Sequence, residues 1–207
     1  MNINTDYDTA IAIEESTLAW QKDDELKVLK KIFSKDGDKE TALIQIDKDS
    51  EYLKSTKINS VEVFVLEGVY TNEYGDFESG TYLKFTKEQE SKIKTSSSCE
   101  VFKKINYEQI RDEDVVVKMS ESYWSQGQGN LRVMGLSENT ALVLWPQNER
   151  FIEHSHWGGE EIFVLKGTFI DEHGRYSVGT WLRNPHLSKH YPYVEDETII
   201  LVKTGHM

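Results

Sequence analysis

A single cysteine, Cys99, stands in 207 residues, which excludes an intramolecular disulfide and any cysteine-rich zinc module. It lies in a short strand-like run, CEVF, and reads as a small buried apolar residue. No apolar run of about eighteen residues occurs and no basic-plus-apolar stretch opens the sequence, so neither a membrane-spanning helix nor a secretory signal is expected. The expectation is a cytoplasmic protein with no membrane partner. Basic residues are in deficit, 24 Lys and Arg against 36 Asp and Glu, for a formal charge of −12. Phosphate-backbone binding needs clustered Lys and Arg, so nucleic acid is not an expected partner. Histidine is absent from the whole first half: His154, His156, His173, His186, His190 and His206 all fall after residue 150.

Sustained 3.6-residue periodicity is also scarce. The chain consists of short β-branched and aromatic runs punctuated by glycine turns, which argues for an all-β fold. The run LKVLKKIF from Leu26 fits a strand or a helical turn equally well. An internal repeat organises the rest. VFVLEG ends at Gly68 and IFVLKG at Gly167; TNEYG ends at Gly75 and IDEHG at Gly174; GTYLK starts at Gly80 and GTWLR at Gly179. Each pair stands 99 positions apart, while Asp8, Ser16 and Trp20 match Asp112, Ser120 and Trp124 at a spacing of 104. Gly75 and Gly174 are expected to close hairpins through left-handed positions. Strand, turn, strand, twice per half, predicts two similar antiparallel barrels or sandwiches, divided near residue 104.

The stretch HSHWGGEEIFVLKG, His154 to Gly167, carries chemistry. Side chains at i and i+2 share a face of a strand, so His154 and His156 can converge on one ion. A turn through Gly158 and Gly159 is expected to reverse the chain as a hairpin and return Glu160 beside them. His190 lies thirty residues further on, at the end of GTWLRNPHLSKH. At the 99-residue spacing the four ligand positions become Ser55, Lys57, Val61 and Ser91, which cannot hold a cation together.

These residues resemble the two motifs of the cupin superfamily, HxH-x3-E-x6-G and G-x5-P-x-G-x2-H. His154, His156, Glu160 and Gly167 fit the first, and Gly179, Pro185 and His190 fit the second, with Leu187 where the family has glycine. HSHWGGEE, DEHG and GTWLRNP together are similar to the cupin domain of ChrR-type anti-sigma factors. The resemblance implies two tandem jelly-roll-like cupin barrels from an internal duplication, residues 1–104 with the metal site lost and residues 105–207 binding metal. It implies His154, His156, Glu160 and His190 as ligands of one divalent ion, zinc as the usual one, with iron(II), manganese and nickel chemically compatible. The separate helical sigma-binding module of those proteins, with its own His and Cys ligands, has no counterpart before Trp20. Anti-sigma activity is therefore not carried over.

His186, Arg183, Tyr176 and Trp157 are candidate pocket residues, Arg183 as a holder of an anionic ligand. Glu161 is expected on the strand face opposite Glu160, as a salt-bridged or surface carboxylate, and His173 and His206 in solvent. The leading functional expectation is a ChrR-like regulatory or sensory module that binds a small ligand or oxidant at the metal. The alternative is a dioxygenase of the acetylacetone-cleaving cupin type, with a Lewis-acid isomerase weaker still. A small-molecule ligand is the expected partner, and homodimerisation and a regulatory protein partner stay open.

Overall fold

The computed structural model describes residues 1–24, 26–48, 51–53, 60–72, 74–86, 92–94, 97–107 and 114–207. Among these the secondary structure is strand, with one 3-10 turn at Glu15–Thr17 and no α-helix. The ambiguous run after Leu26 resolves as a nine-residue strand, Val28–Asp36. No helix among the described residues is long and apolar enough to cross a membrane.

The chain separates into two compact units, Met1–Thr5 with Leu18–Ser122, and Asp6–Thr17 with Tyr123–Met207. This differs from a simple divide at residue 104, because each unit takes one strand from the other half of the sequence. The first unit's seven-stranded sheet runs Val115–Lys118, Thr81–Thr86, Ser60–Glu67, Cys99–Ile105, Lys39–Ile46, Val28–Asp36, Gln21–Asp23. The second runs Ile11–Glu14, Thr180–Asn184, Glu160–Lys166, Thr198–Thr204, Thr140–Trp145, Arg132–Gly135, Ser125–Gln126. The order is the same, strand for strand, and smaller two- and four-stranded sheets complete the units. Among the described residues no sheet closes on itself into a barrel.

The exchange explains the second repeat spacing. Ile11 pairs with Arg183, and Val115, 104 positions later, pairs with Lys84, 99 positions before Arg183. Glu15 N–H donates to Gly179 O at 3.1 Å, and Met119 N–H to Gly80 O at 3.0 Å, in the same relation. Both exchanged strands alternate half-buried and exposed residues, as an edge strand with one covered face requires.

Within each central strand the two-residue period sends alternate side chains to opposite faces. In the first unit Val61, Val63 and Val65 join Ile44, Tyr70, Leu83 and Val101 in an apolar core that also holds Cys99. Burial pushes the Cys99 thiol up to about 12, so it behaves as the small apolar residue expected. In the second unit Ile162 and Val164 pack with Leu131, Trp145, Phe169, Leu182, Val194 and Ile200. Burying side chains of this size contributes about 1.5–3 kcal/mol each. Gly68 and Gly167, which end the repeated run, both have φ of 75°. A Cβ there would fall 2.1 Å from Ser98 O and 2.5 Å from Glu197 O, so only glycine fits at this crossing of strands.

Candidate metal centre

The two-histidine strand does not form a hairpin with the strand that follows it. His154–Ser155 pairs instead with Lys189–His190, placing His154 directly opposite His190. Glu160 opens a strand of the large sheet, opposite Asn184 on one side and Thr204 on the other. The Gly158–Gly159 turn is thus a corner between two sheets, and the correction is one of strand partner: the chain moves from one wall of the unit to another. Both glycines have positive φ, 70° and 71°. A Cβ on Gly158 would lie 2.7 Å from Gly205 Cα, which L side chains cannot accommodate.

One ring nitrogen from each of His154, His156 and His190 lies within 4.8 Å of the others. His190 Nε2 is 3.1 Å from His154 Nε2. The Glu160 carboxylate reaches the same place, with Oε1 3.3 Å from His156 Nε2 and Oε2 3.6 Å from His190 Nε2. Asn184 Nδ2 donates to Glu160 Oε2 at 3.0 Å and fixes the carboxylate plane. Phe151 stands edge-on to the His154 ring at 4.8 Å between centroids.

Burial governs the charges here. It is the largest cause of the lowered proton affinity of His154, His156 and His190, the last brought down to about 4. Burial likewise raises Glu160 to about 7, against the Asn184 hydrogen bond and the nearby His154, with Asp171 adding to the rise. His156 Nε2, which faces Glu160, is buried with no hydrogen-bond partner. Neutral imidazoles grouped around a carboxylate are a set of donors that fits a cation.

Arg183 does not reach this cluster. It alternates with Asn184 and so lies on the other face of the sheet, 1% exposed, where its guanidinium donates to Asp6 O at 2.7 Å and lies 4.6 Å from the Tyr7 ring. It anchors the exchanged segment instead of lining a pocket. Trp157 is 76% exposed and stands edge-on to His186. His186 Nδ1 accepts the Gly158 N–H at 2.8 Å, which makes it a support of the turn. Tyr176 donates its hydroxyl to Asp171 at 2.9 Å and stacks on Phe169 beside the core.

Leu187 has φ of 56°, the left-handed conformation that the expected glycine would take freely, and its N–H donates to His156 O at 3.0 Å. The departure from glycine is therefore accommodated with strain in the turn and not by a different turn. Gly174 does not take a left-handed φ; the Asp171 side chain closes that hairpin by accepting the N–H groups of His173 and Gly174. His173 is exposed as expected. Glu161 and His206 are both buried, not at the surface: their side chains meet at 3.2 Å, and the Trp181 indole N–H donates to Glu161. Tyr82 donates to Glu62 in the same way in the first unit. Of the first unit's ligand-equivalent positions, Val61 lies in the apolar core, and Ser55, Lys57 and Ser91 fall outside the described residues. Asn184 and Phe151 were missed by sequence reasoning, since a residue's opposite number on a neighbouring strand leaves no local signal.

Residues 112–207 match the ChrR cupin-like domain family. This part of the chain is similar to that domain. The cupin likeness in fold extends over both units. A protein from Nostoc punctiforme, provisionally named a dioxygenase, shares the fold with a TM-score of 0.79 at 11% identity, covering 95% of this chain and 82% of that one. YlbA from E. coli does so at 0.73 and 11% identity, covering 97% and 93%. A cupin 2 conserved barrel domain protein from Leptotrichia buccalis gives 0.65 at 15% identity, covering 94% and 96%. No curated protein matches the chain.

Proposed function

We propose that the cupin domain formed around residues 123–207 holds one divalent metal ion through His154, His156, Glu160 and His190 and uses it to bind a small ligand in a regulatory or sensory role of ChrR type. The observation that carries this reading is the convergence of three largely neutral imidazoles on one buried carboxylate. A buried polar atom without a partner costs about 1–3 kcal/mol, and a cation at these donors would remove that cost for His156 Nε2. Zinc suits three nitrogens and one oxygen, and iron(II), manganese and nickel share the preference. An ion held by four protein donors has further positions for a chelating ligand or an oxidant. The ChrR cupin-like match of residues 112–207 supports the regulatory role. Val61 at the Glu160-equivalent position supports one ion per chain.

A second reading rests on the Nostoc structure provisionally named a dioxygenase. In it, a redox-active ion at the same four residues would supply activation of a bound β-dicarbonyl toward oxygen. Elemental analysis of the purified chain and of His154→Ala/His190→Ala tests the shared premise: one metal per chain, lost in the double variant. Oxygen uptake by the anaerobically iron-loaded chain on a panel of β-diketones then separates the two. Turnover favours the dioxygenase, and its absence favours the binding module.

A further inference from the structure

We propose that Gly205–Met207 is a positioning segment of the metal centre, seating the Gly158–Gly159 turn so that His156 and Glu160 face one ion; the proposal rests on the metal reading above. Three residues separate these two ligands, and two of them are glycines at positive φ. Such a turn has little stiffness of its own, because glycine leaves both backbone angles free. Its geometry must come from what packs against it.

The turn is gripped from two sides. On one side His186 Nδ1 accepts the Gly158 N–H at 2.8 Å and Leu187 N–H donates to His156 O at 3.0 Å. On the other, Gly205 N–H donates to Gly159 O at 3.0 Å and Met207 N–H to Gly158 O at 3.0 Å. Contact is close enough that a Cβ on Gly159 would fall 2.0 Å from Met207 Cε and 2.9 Å from Asn184 O. Met207 therefore fills the space against Gly159, one residue before Glu160. Between the two backbone bonds, His206 turns its side chain inward, 1% exposed, with Nε2 3.2 Å from Glu161 Oε1. Glu161 in turn accepts from the Trp181 indole. The segment is thus pinned beside Glu160's neighbour while its two ends hold the carbonyls of the turn.

Groups that hold metal ligands in place typically change metal affinity by 10–100-fold when removed. Cobalt(II) is the probe, since its visible absorption reports coordination geometry as well as occupancy. Compared are the wild-type chain, a chain ending at Thr204, Met207→Ala and Met207→Leu, with metal-free melting of each as the control for folding. The expected result is one cobalt per wild-type chain, affinity lower by about 10–100-fold with an altered spectrum in the shortened chain, a smaller loss in Met207→Ala, and recovery in Met207→Leu. Wild-type affinity and spectrum in a shortened chain that melts normally would overturn the positioning role and leave the metal reading standing. A wild-type chain that takes up no cobalt overturns both. Should the shortened chain not fold, the Met207 pair decides: loss in alanine with recovery in leucine supports the proposal, and unchanged cobalt binding in both rejects it.

Discussion

His154 and His190 are 36 residues apart in sequence, yet they are directly paired across two short strands and their Nε2 atoms lie 3.1 Å apart. With both rings neutral, one nitrogen donates its hydrogen to the other in the metal-free chain. A metal ion held by both rings would need both lone pairs, and so would replace this hydrogen bond and impose one tautomer on both rings.

Glu160 supplies the pH dependence. Held at about 7, chiefly by burial, it carries a proton over most of the acid range. Metal binding below that value must displace the proton, so affinity is expected to rise about tenfold per pH unit up to about 7 and level off above it. Chelator competition across this range checks the slope, and Glu160→Gln should abolish it. Stability of the metal-free unit responds differently. The raised Glu160 favours folding below its ordinary value of 4.5, a contribution lost as pH rises through about 7; the lowered His190 favours folding above 6.5, a contribution lost as pH falls through about 4. Glu160 and His190 offset each other between, but the lowered His154 and His156 add to the His190 side, so melting of the metal-free unit is expected to rise as pH climbs from 4.5 to 6.5.

Arg183 gives a prediction opposite to that of a ligand-binding arginine. Its guanidinium holds Asp6 O and lies against Tyr7, away from the donor cluster. Arg183→Ala is expected to cost roughly 2–4 kcal/mol of stability from the lost buried contacts and to leave the affinity of the metal-loaded chain for small carboxylates unchanged. Denaturant titration and calorimetry read the two separately; a tenfold loss of carboxylate affinity in a folded variant would return Arg183 to the pocket.

Leu187 stores strain at φ of 56°. A residue with a Cβ pays about 1–2 kcal/mol in the left-handed region, part of which glycine gives back through its freer unfolded chain. Leu187→Gly is expected to be neutral or stabilising by up to about 1 kcal/mol in denaturant unfolding. A loss of more than that would mean the leucine side chain, 47% exposed, contributes packing that outweighs its backbone.

The first unit rests on a buried ion network. Lys30 Nζ lies 3.0 Å from both Glu40 and Asp23, and Lys35 Nζ lies 2.7 Å from the other Glu40 oxygen. Burial pushes the Glu40 carboxyl up, but Lys30 and Lys35 together outweigh it and hold it below its ordinary 4.5. Its contribution is thus present above 4.5 and lost on acidification. Glu40→Ala leaves Lys30 with Asp23 alone and is expected to cost about 2–4 kcal/mol, at the lower edge of breaking a buried pair, while metal content stays at the wild-type level. Paired melting and elemental analysis check both halves of this statement.

The sequence by itself determined the strands, the duplication and the half of the chain that carries the donors. Two-residue alternation, repeated glycines and an HxH spacing are local patterns, and local patterns survive in one dimension. Tertiary structure alone decided which strands meet. The pairing of His154 with His190 in place of the expected hairpin, the exchange of Ile11–Glu14 and Val115–Lys118 between units, and the setting of Asn184 against Glu160 all join residues far apart in the chain. So do the burial of Arg183 against Tyr7 and of His206 against Glu161. An antiparallel strand presents the same alternating face to any neighbour, so its sequence specifies which side is buried but not what lies across from it. That choice is made by the packing of the whole sheet, and it brings four scattered side chains together.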